Sequence, residues 1–202
     1  MFGGGPFVDN DEFDAALLAE VAATRVVVLP TADAFENPGE LMAAATAWAE
    51  RVDVEVEALM VLQRDDAHDA GAAQVVRSAP AVYLVGDSSM HLRSVLKDTA
   101  VFAALTAVLD GGGLVAAVGP SATAMCDPML DQRGGAFTLG LGLVADVTVV
   151  PGVETWTPER RHRTRSLADR PLIEVPTGSA AIRRGSTWEL LGDAERHDLH
   201  GL

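Results

Sequence analysis

The chain has 202 residues, of which 49% are hydrophobic and 22% are charged, and this balance excludes a disordered protein, a collagen-like repeat and a disulfide-stapled miniprotein. Its 15 basic and 29 acidic residues give a formal net charge of −14, which argues against nucleic acid and anionic membrane surfaces as partners. The composition predicts a globular protein with a sizeable core and an acidic, well-solvated surface.

Short β-branched apolar runs alternate with longer Ala-rich and Leu-rich stretches of helical period. The predicted strands are 25–29, 53–57, 81–85, 114–118 and 147–150, and the predicted helices are 11–23, 38–51, 69–78, 90–109 and 158–167. This alternation predicts an α/β fold, a three-layer sandwich with a mostly parallel central sheet and helices on both faces. Extended segments at 173–175, 180–183 and 187–191 predict a C-terminal antiparallel hairpin. No repeat or linker is visible, so residues 1–202 are predicted to form one domain.

Cysteine usage and the N-terminal sequence indicate where the protein resides. The lone Cys126 cannot form an internal disulfide, and the start MFGGGPFVDN has neither a basic nor an apolar signal region. We therefore expect a cytoplasmic protein. The polar cluster at residues 65–69 is interpreted as a solvated loop, and we expect neither a metal nor a cofactor.

The most informative stretch is LVAAVGPSATAMCDPM, residues 114–129. An apolar strand runs into a sharp turn and then into a helical segment, which is the setting in which a nucleophile elbow presents a serine at the carboxyl end of a sheet. Ser121 is therefore the candidate nucleophile. The alternative is that Ser121 only caps the following helix, since serine is a favoured N-cap residue.

Six segments taken together resemble the serine peptidase family of dipeptidase E and cyanophycinase, whose fold is related to class I glutamine amidotransferase domains. In chain order they are GGG (3–5), VVVLPTA (26–32), VYLVGDS (82–88), VGPSATAMCDPM (118–129), DQRGGAFTLGLGLV (131–144) and WTPERRHRTRSL (156–167). The resemblance implies hydrolysis of a small peptide or amide through an acyl-enzyme on Ser121. It also implies oxyanion donors at the amides of Gly86 and Ala122, and an acidic partner at Asp131. Asp131 has a second interpretation, as a loop-capping aspartate.

This sequence departs from the family pattern at the position of the catalytic base. Family members place a histidine after the strand that corresponds to 147–150, where this chain reads Gly152-Val153-Glu154. A serine hydroxyl needs an adjacent base to become a nucleophile, so this loss puts acyl transfer in doubt. His162 and His91 are the candidates for a surrogate base.

Other departures crowd or alter the expected pocket. Asp87 stands where a second glycine is usual and adds negative charge near an oxyanion site, and Thr123 replaces a glycine. Cys126 is interpreted as a small buried residue rather than a nucleophile. The arginines at positions 160, 161, 163 and 165 are expected to pair with surface carboxylates, the alternative being an anionic group of a substrate.

Two hypotheses follow from the residues. The first is a serine peptidase-like hydrolase that uses Ser121, and the second is a catalytically inactive relative that serves as a binding or regulatory module for a small peptide or amide ligand. The first strand that the family resemblance implies is not visible before the glycines at 3–5. If the neighbouring sheet edge is uncovered, an unpaired strand invites a partner, and a homodimer through that edge is expected.

Overall fold

A parallel four-stranded sheet lies at the centre of the computed structural model, which describes residues 1–199. The strand order is β2-β1-β3-β4, with strands β1 (Arg25–Leu29), β2 (Glu55–Ala58), β3 (Ala81–Leu84) and β4 (Leu114–Ala117). Strands β1 and β3 are apolar and almost fully buried, as expected for a parallel sheet that helices cover on both faces.

Two apolar cores sandwich this sheet. The helices are α1 (Asp11–Glu20), α2 (Pro38–Val52), α3 (Arg64–His68), α4 (Ala70–Arg77), α5 (Ser89–Leu96), α6 (Ala100–Asp110), α7 (Pro120–Ala124) and α8 (Pro158–Leu167). Val28 and Tyr83 face α1 and α2, where Trp48 is fully buried. Leu29 and Leu84, which point to the other face, pack with α4, α5 and α6.

Three smaller sheets complete the fold. Strand β7 (Thr148–Pro151) pairs in parallel with β8 (Leu172–Val175), and β8 pairs antiparallel with β11 (Glu195–His197). Strands β9 (Ala180–Arg184) and β10 (Thr187–Leu191) form an antiparallel hairpin, and the short strands β5 (Met129–Leu130) and β6 (Phe137–Thr138) form another pair. The predicted α/β class, with its mostly parallel sheet, its flanking helices and its C-terminal hairpin, is confirmed.

Two local predictions are wrong. The helix expected over 90–109 is two helices, because Asp98 adopts a left-handed conformation with φ 60° between α5 and α6. The polar cluster at 65–69 is not a loop. It forms α3 and the N-cap of α4, where the carboxylate of Asp69 accepts a hydrogen bond from the amide of Ala72 at 2.7 Å.

Residues Met1 and Phe2 lie between β4 and β9. The amide of Phe2 donates to the carbonyl of Ala117 at 2.9 Å, and the amide of Ala181 donates to the carbonyl of Met1 at 2.9 Å. Further along the two strands, the space between them is a cavity of about 510 Å³. Strand β9 therefore faces β4 across this cavity, and β4 is not the open outer edge on which the homodimer hypothesis depends. The homodimer stays a prediction.

Within residues 1–199, no helix combines the length and the apolar composition that crossing a membrane requires.

Candidate active site

A sharp turn joins strand β4 to helix α7, close to the position where the sequence predicts an elbow. The turn is made by Gly119, with φ 56° and ψ −135°, a conformation that residues with a side chain rarely adopt. Its amide donates to the carbonyl of Phe2 at 2.9 Å, and a Cβ here would lie 2.9 Å from the carbonyl oxygen of Gly4. Both the backbone conformation and the close packing therefore favour glycine at this position.

The strained residue of a nucleophile elbow carries the nucleophile, and the residue after it supplies one amide of the oxyanion hole. In this chain these two positions are occupied by Gly119 and Pro120. Glycine has no side chain and proline has no backbone N–H. The strained turn consequently offers neither the nucleophile nor the amide donor that normally follows it.

Ser121 lies two residues beyond the strained turn, inside α7. Its side chain is fully buried, and its hydroxyl donates a hydrogen bond to the carbonyl oxygen of Gly86 at 2.9 Å. Its amide faces the carbonyl of Val118 at 3.3 Å. The hydroxyl proton therefore points at a peptide carbonyl, which is far too weakly basic to remove it.

The two amides predicted as oxyanion donors differ in whether they already donate a hydrogen bond. Gly86 follows β3 with φ 113°, and a Cβ there would lie only 2.5 Å from the amide nitrogen of Asp33, so the loop packs too closely for a side chain. The Gly86 amide makes no hydrogen bond with the described residues 1–199. The Ala122 amide donates to the carbonyl of Gly119 at 2.9 Å and is already engaged.

Neither candidate base bonds to Ser121. His91 lies in the first turn of α5, where its Nε2 is 2.9 Å from the carbonyl oxygen of Leu62 and its ring packs on Phe35 with centroids 4.6 Å apart. His162 is exposed on α8. Each imidazole thus has other surroundings, and the structure does not bring either ring into a hydrogen bond with the Ser121 hydroxyl.

The segment after β7, where the family resemblance places a histidine, contains a glycine and a carboxylate. Gly152 adopts a left-handed conformation with φ 70°, and a Cβ there would meet no atom within 4 Å. Glu154 accepts hydrogen bonds from the hydroxyl of Thr177 at 2.5 Å and from its amide at 3.3 Å. Partial burial alone would raise the pKa of Glu154, but these hydrogen bonds hold it below the usual value. This carboxylate is occupied in anchoring the loop before β9.

Negative charge collects beside Gly86. Burial raises the pKa of Asp33, and the neighbouring charges of Asp87 and Glu36 raise it further. An oxyanion that developed near the Gly86 amide would meet this acidic group, which opposes the stabilisation that an oxyanion hole must provide.

Asp131 belongs to the loop between β5 and β6. Its carboxylate accepts a hydrogen bond from the amide of Arg133 at 3.0 Å, and its backbone bonds to Gly135 and Ala136 close the loop. This geometry is the loop-capping arrangement that the sequence left open as the second interpretation.

Thr123 and Cys126 lie in the packed interior behind the turn. The hydroxyl of Thr123 accepts a hydrogen bond from the amide of Leu130 at 3.0 Å and so ties α7 to β5. Cys126 is fully buried, and its Sγ accepts a hydrogen bond from the amide of Val149 at 3.3 Å. Burial raises the pKa of its thiol to about 12, so the thiolate needed for nucleophilic attack is absent at neutral pH.

The sequence interpretation missed the role of Gly119. The signal was available, because a Gly-Pro pair directly after a strand combines a residue suited to a positive φ with a residue suited to the first position of a helix.

The fold resembles solved structures over almost the whole chain. A crystal structure of a peptidase from an acI-B1 Actinobacterium superposes with a TM-score of 0.85 at 24% identity, covering 100% of this chain and 89% of that chain. A crystal structure named "Putative Peptidase E Protein", from Listeria monocytogenes EGD-e, superposes with a TM-score of 0.64 at 16% identity, covering 96% and 95%. At these identities the likeness establishes the fold. No family model and no curated protein matches the sequence.

Proposed function

We propose that this protein is a non-catalytic relative of the peptidases whose fold it shares, and that it works as a binding or regulatory module. The observation that carries the proposal is the Gly119-Pro120 pair at the strained turn. Acyl transfer needs a nucleophilic side chain at the first of these positions and a backbone N–H at the second, but Gly119 has no side chain and Pro120 has no N–H.

The missing base supports the same conclusion. Gly152 and Glu154 occupy the segment where the family resemblance implies histidine, and Glu154 is already bonded to Thr177. A carboxylate with a lowered pKa is a weak proton acceptor, and this one is committed to another partner. Proton transfer requires hydrogen-bond distance, so a base that forms no hydrogen bond with the Ser121 hydroxyl cannot activate it.

The alternative function is hydrolysis of a small peptide or amide through an acyl-enzyme on Ser121. It requires the Ser121 hydroxyl to give up its bond to Gly86 and leave a fully buried position. Leaving a buried carbonyl unsatisfied costs about 1–3 kcal/mol before any chemistry begins. The hydrolase would also need a base from elsewhere, so the binding module is favoured.

A ligand pocket at the carboxyl ends of the central strands suits such a module, because open α/β sheets bind their ligands there. The Gly86 amide is an available donor at this edge, while Asp33 and Asp87 give it negative charge. We therefore expect a small ligand that presents a hydrogen-bond acceptor to the amide and carries no net negative charge at this point.

An activated ester tests the proposal. We expect the wild-type protein and the Ser121→Ala variant to hydrolyse p-nitrophenyl acetate at the same slow rate, because surface amines acylate equally in both. The variant is first checked for native circular dichroism. A wild-type rate more than about tenfold above that of the variant would favour the hydrolase instead, since general-base activation contributes factors of at least that size.

A further inference from the structure

A second candidate site lies between the β5–β6 loop and helix α8. It is a surface cavity of about 270 Å³ lined by Arg133, Gly134, Gly135, Arg160, Arg163 and Thr164. Three of its six lining residues are cationic and none is acidic. Such a concentration of positive charge is unexpected in a chain with a net charge of −14.

The arginines of α8 divide into two sets with different partners. Arg161 and Arg165 turn towards the buried carboxylate of Glu174, to which they donate hydrogen bonds between 2.5 and 2.8 Å. Arg160 and Arg163 line the cavity instead. Pairing with surface carboxylates was expected for the whole cluster, whereas one set pairs with a buried carboxylate and the other set lines the cavity.

One cavity arginine is held in place before any ligand arrives. The guanidinium of Arg160 donates to the carbonyl of Gln132 at 2.5 Å and lies 3.8 Å from the centroid of the Trp156 ring. Neither contact cancels its charge, because a carbonyl and an aromatic face are both neutral. A fixed guanidinium loses little side-chain entropy when it binds, which favours recognition of planar or tetrahedral oxyanions.

The other two arginines have no carboxylate partner among residues 1–199. Neither Arg133 nor Arg163 forms an ion pair in this part of the chain. Asp131, the acidic residue of the same loop, does not line the cavity and instead accepts a hydrogen bond from the Arg133 amide. Two guanidinium groups are thus available to a ligand.

Thr164 adds a hydroxyl to the cavity lining. This residue is itself buried, and its hydroxyl makes no hydrogen bond within the described chain. A ligand oxygen in the cavity would accept from this hydroxyl and from the neighbouring guanidinium groups.

We propose that this cavity binds an oxyanion group, a phosphate or a carboxylate, through Arg133, Arg160, Arg163 and the Thr164 hydroxyl. Charge-assisted bonds from guanidinium groups are the strong and directional ones, and they match both kinds of group. The acidic surface repels anions at long range, so binding depends on these local contacts. None of the cavity's lining residues belongs to the strained turn, and the proposal does not depend on whether the protein catalyses acyl transfer.

Isothermal titration calorimetry of the full chain at low ionic strength tests the site, with inorganic phosphate in one arm and succinate in the other. We expect saturable binding of phosphate, of succinate or of both. The one that binds more tightly identifies the kind of oxyanion. Arg163→Gln and Arg133→Gln should each weaken it by about tenfold or more, the effect expected for a lost charged contact. Both side chains are exposed, so folding is not at risk.

Arg77→Gln is the matched control, because Arg77 is an exposed helical arginine outside the cavity and the substitution changes the net charge equally. Its affinity should stay within about twofold of the wild type, as expected for screened long-range charge. No saturable binding in either arm, or equal weakening by Arg77→Gln and Arg163→Gln, would overturn the proposal.

Discussion

The hydroxyl of Ser121 donates a hydrogen bond to the carbonyl oxygen of Gly86, 2.9 Å away in a fully buried position. The bond joins α7 to the loop after β3, so the residue that resembles a nucleophile holds two elements together. The contribution of this hydrogen bond to the free energy of unfolding can be measured by removing the hydroxyl.

Ser121→Ala should lower the free energy of unfolding by about 1–2 kcal/mol, because it leaves a buried carbonyl without its donor. Urea denaturation followed by circular dichroism measures the loss. Ser166→Ala is the control, since Ser166 makes an exposed hydroxyl bond to the carbonyl of His162 at 2.9 Å. An equal effect of the two substitutions would show that the buried bond contributes nothing special.

Asp14 should make stability depend on pH. Burial raises the pKa of this carboxyl from 3.8 to about 6, although Tyr83 and Trp48 donate hydrogen bonds to it at 2.7 and 2.9 Å. The folded state therefore binds the proton more tightly than the unfolded state. The resulting stabilisation is complete below pH 3.8 and is lost as the pH rises through about 6, a change of up to about 3 kcal/mol.

Urea midpoints between pH 4 and pH 7 isolate this contribution when wild type and Asp14→Asn are compared. The difference in urea midpoint between wild type and Asp14→Asn should change with pH across that window, because the asparagine side chain does not titrate. Glu12→Gln, an exposed substitution on the same helix, should follow the wild type at every pH. Parallel pH curves for wild type and Asp14→Asn would contradict the raised pKa.

Glu174→Gln should be strongly destabilising at neutral pH. Glu174 is 3% exposed and pairs with both Arg161 and Arg165. Removing its charge leaves two arginines unpaired at a partly buried site, for which a loss of about 3 kcal/mol is expected. The exposed Glu20, which pairs with Arg184, is the control, and Glu20→Gln should have no resolvable effect.

The pKa of Glu174 provides a second check on this pair. Burial alone would raise it, but hydrogen bonds from the two arginines hold it below 4.5. Its stabilisation is therefore present above pH 4.5 and lost as the pH falls below that value. The difference in unfolding free energy between wild type and Glu174→Gln should become smaller below pH 4.5. A difference that stays constant would contradict the ion pair's role in stability.

Hydrogen exchange should reveal the cavity beside β4. The amides of Leu114 and Val118 donate to the carbonyls of Pro80 and Leu84, so by the alternation of a parallel strand the amide of Val115 points the other way, towards the cavity. We expect this amide to exchange faster than that of Ala116, which points towards β3. Equal protection of the two amides would mean that the cavity is filled.

The sequence predicted much of the fold, because the strands at β1, β3 and β4 are short apolar runs between helices of clear period. It placed the sharp turn within two residues of Gly119 but assigned the key position to Ser121. A pattern of residue types does not specify φ and ψ, and the strained conformation depends on contacts with Phe2 and Gly4 from the far end of the chain.

Other features depend on long-range contacts and left little local signal. In the sequence Asp14 is one of three acidic residues in the first turn of α1, and only its contacts with Trp48 and Tyr83 distinguish it from the other two. The arginines of α8 look alike in sequence, and only the helix geometry separates those that face Glu174 from those that line the cavity. That His91 or His162 acts as a surrogate base stays a prediction. Neither imidazole forms a hydrogen bond with the Ser121 hydroxyl.

A fluorophosphonate probe followed by intact-mass measurement distinguishes a non-catalytic protein from a serine hydrolase, because the probe reacts covalently with activated serines. We expect an unmodified mass for the folded wild-type protein, since the strained turn presents Gly119 and the Ser121 hydroxyl is buried against Gly86. A single adduct that maps to Ser121 and disappears in Ser121→Ala would instead establish a serine hydrolase.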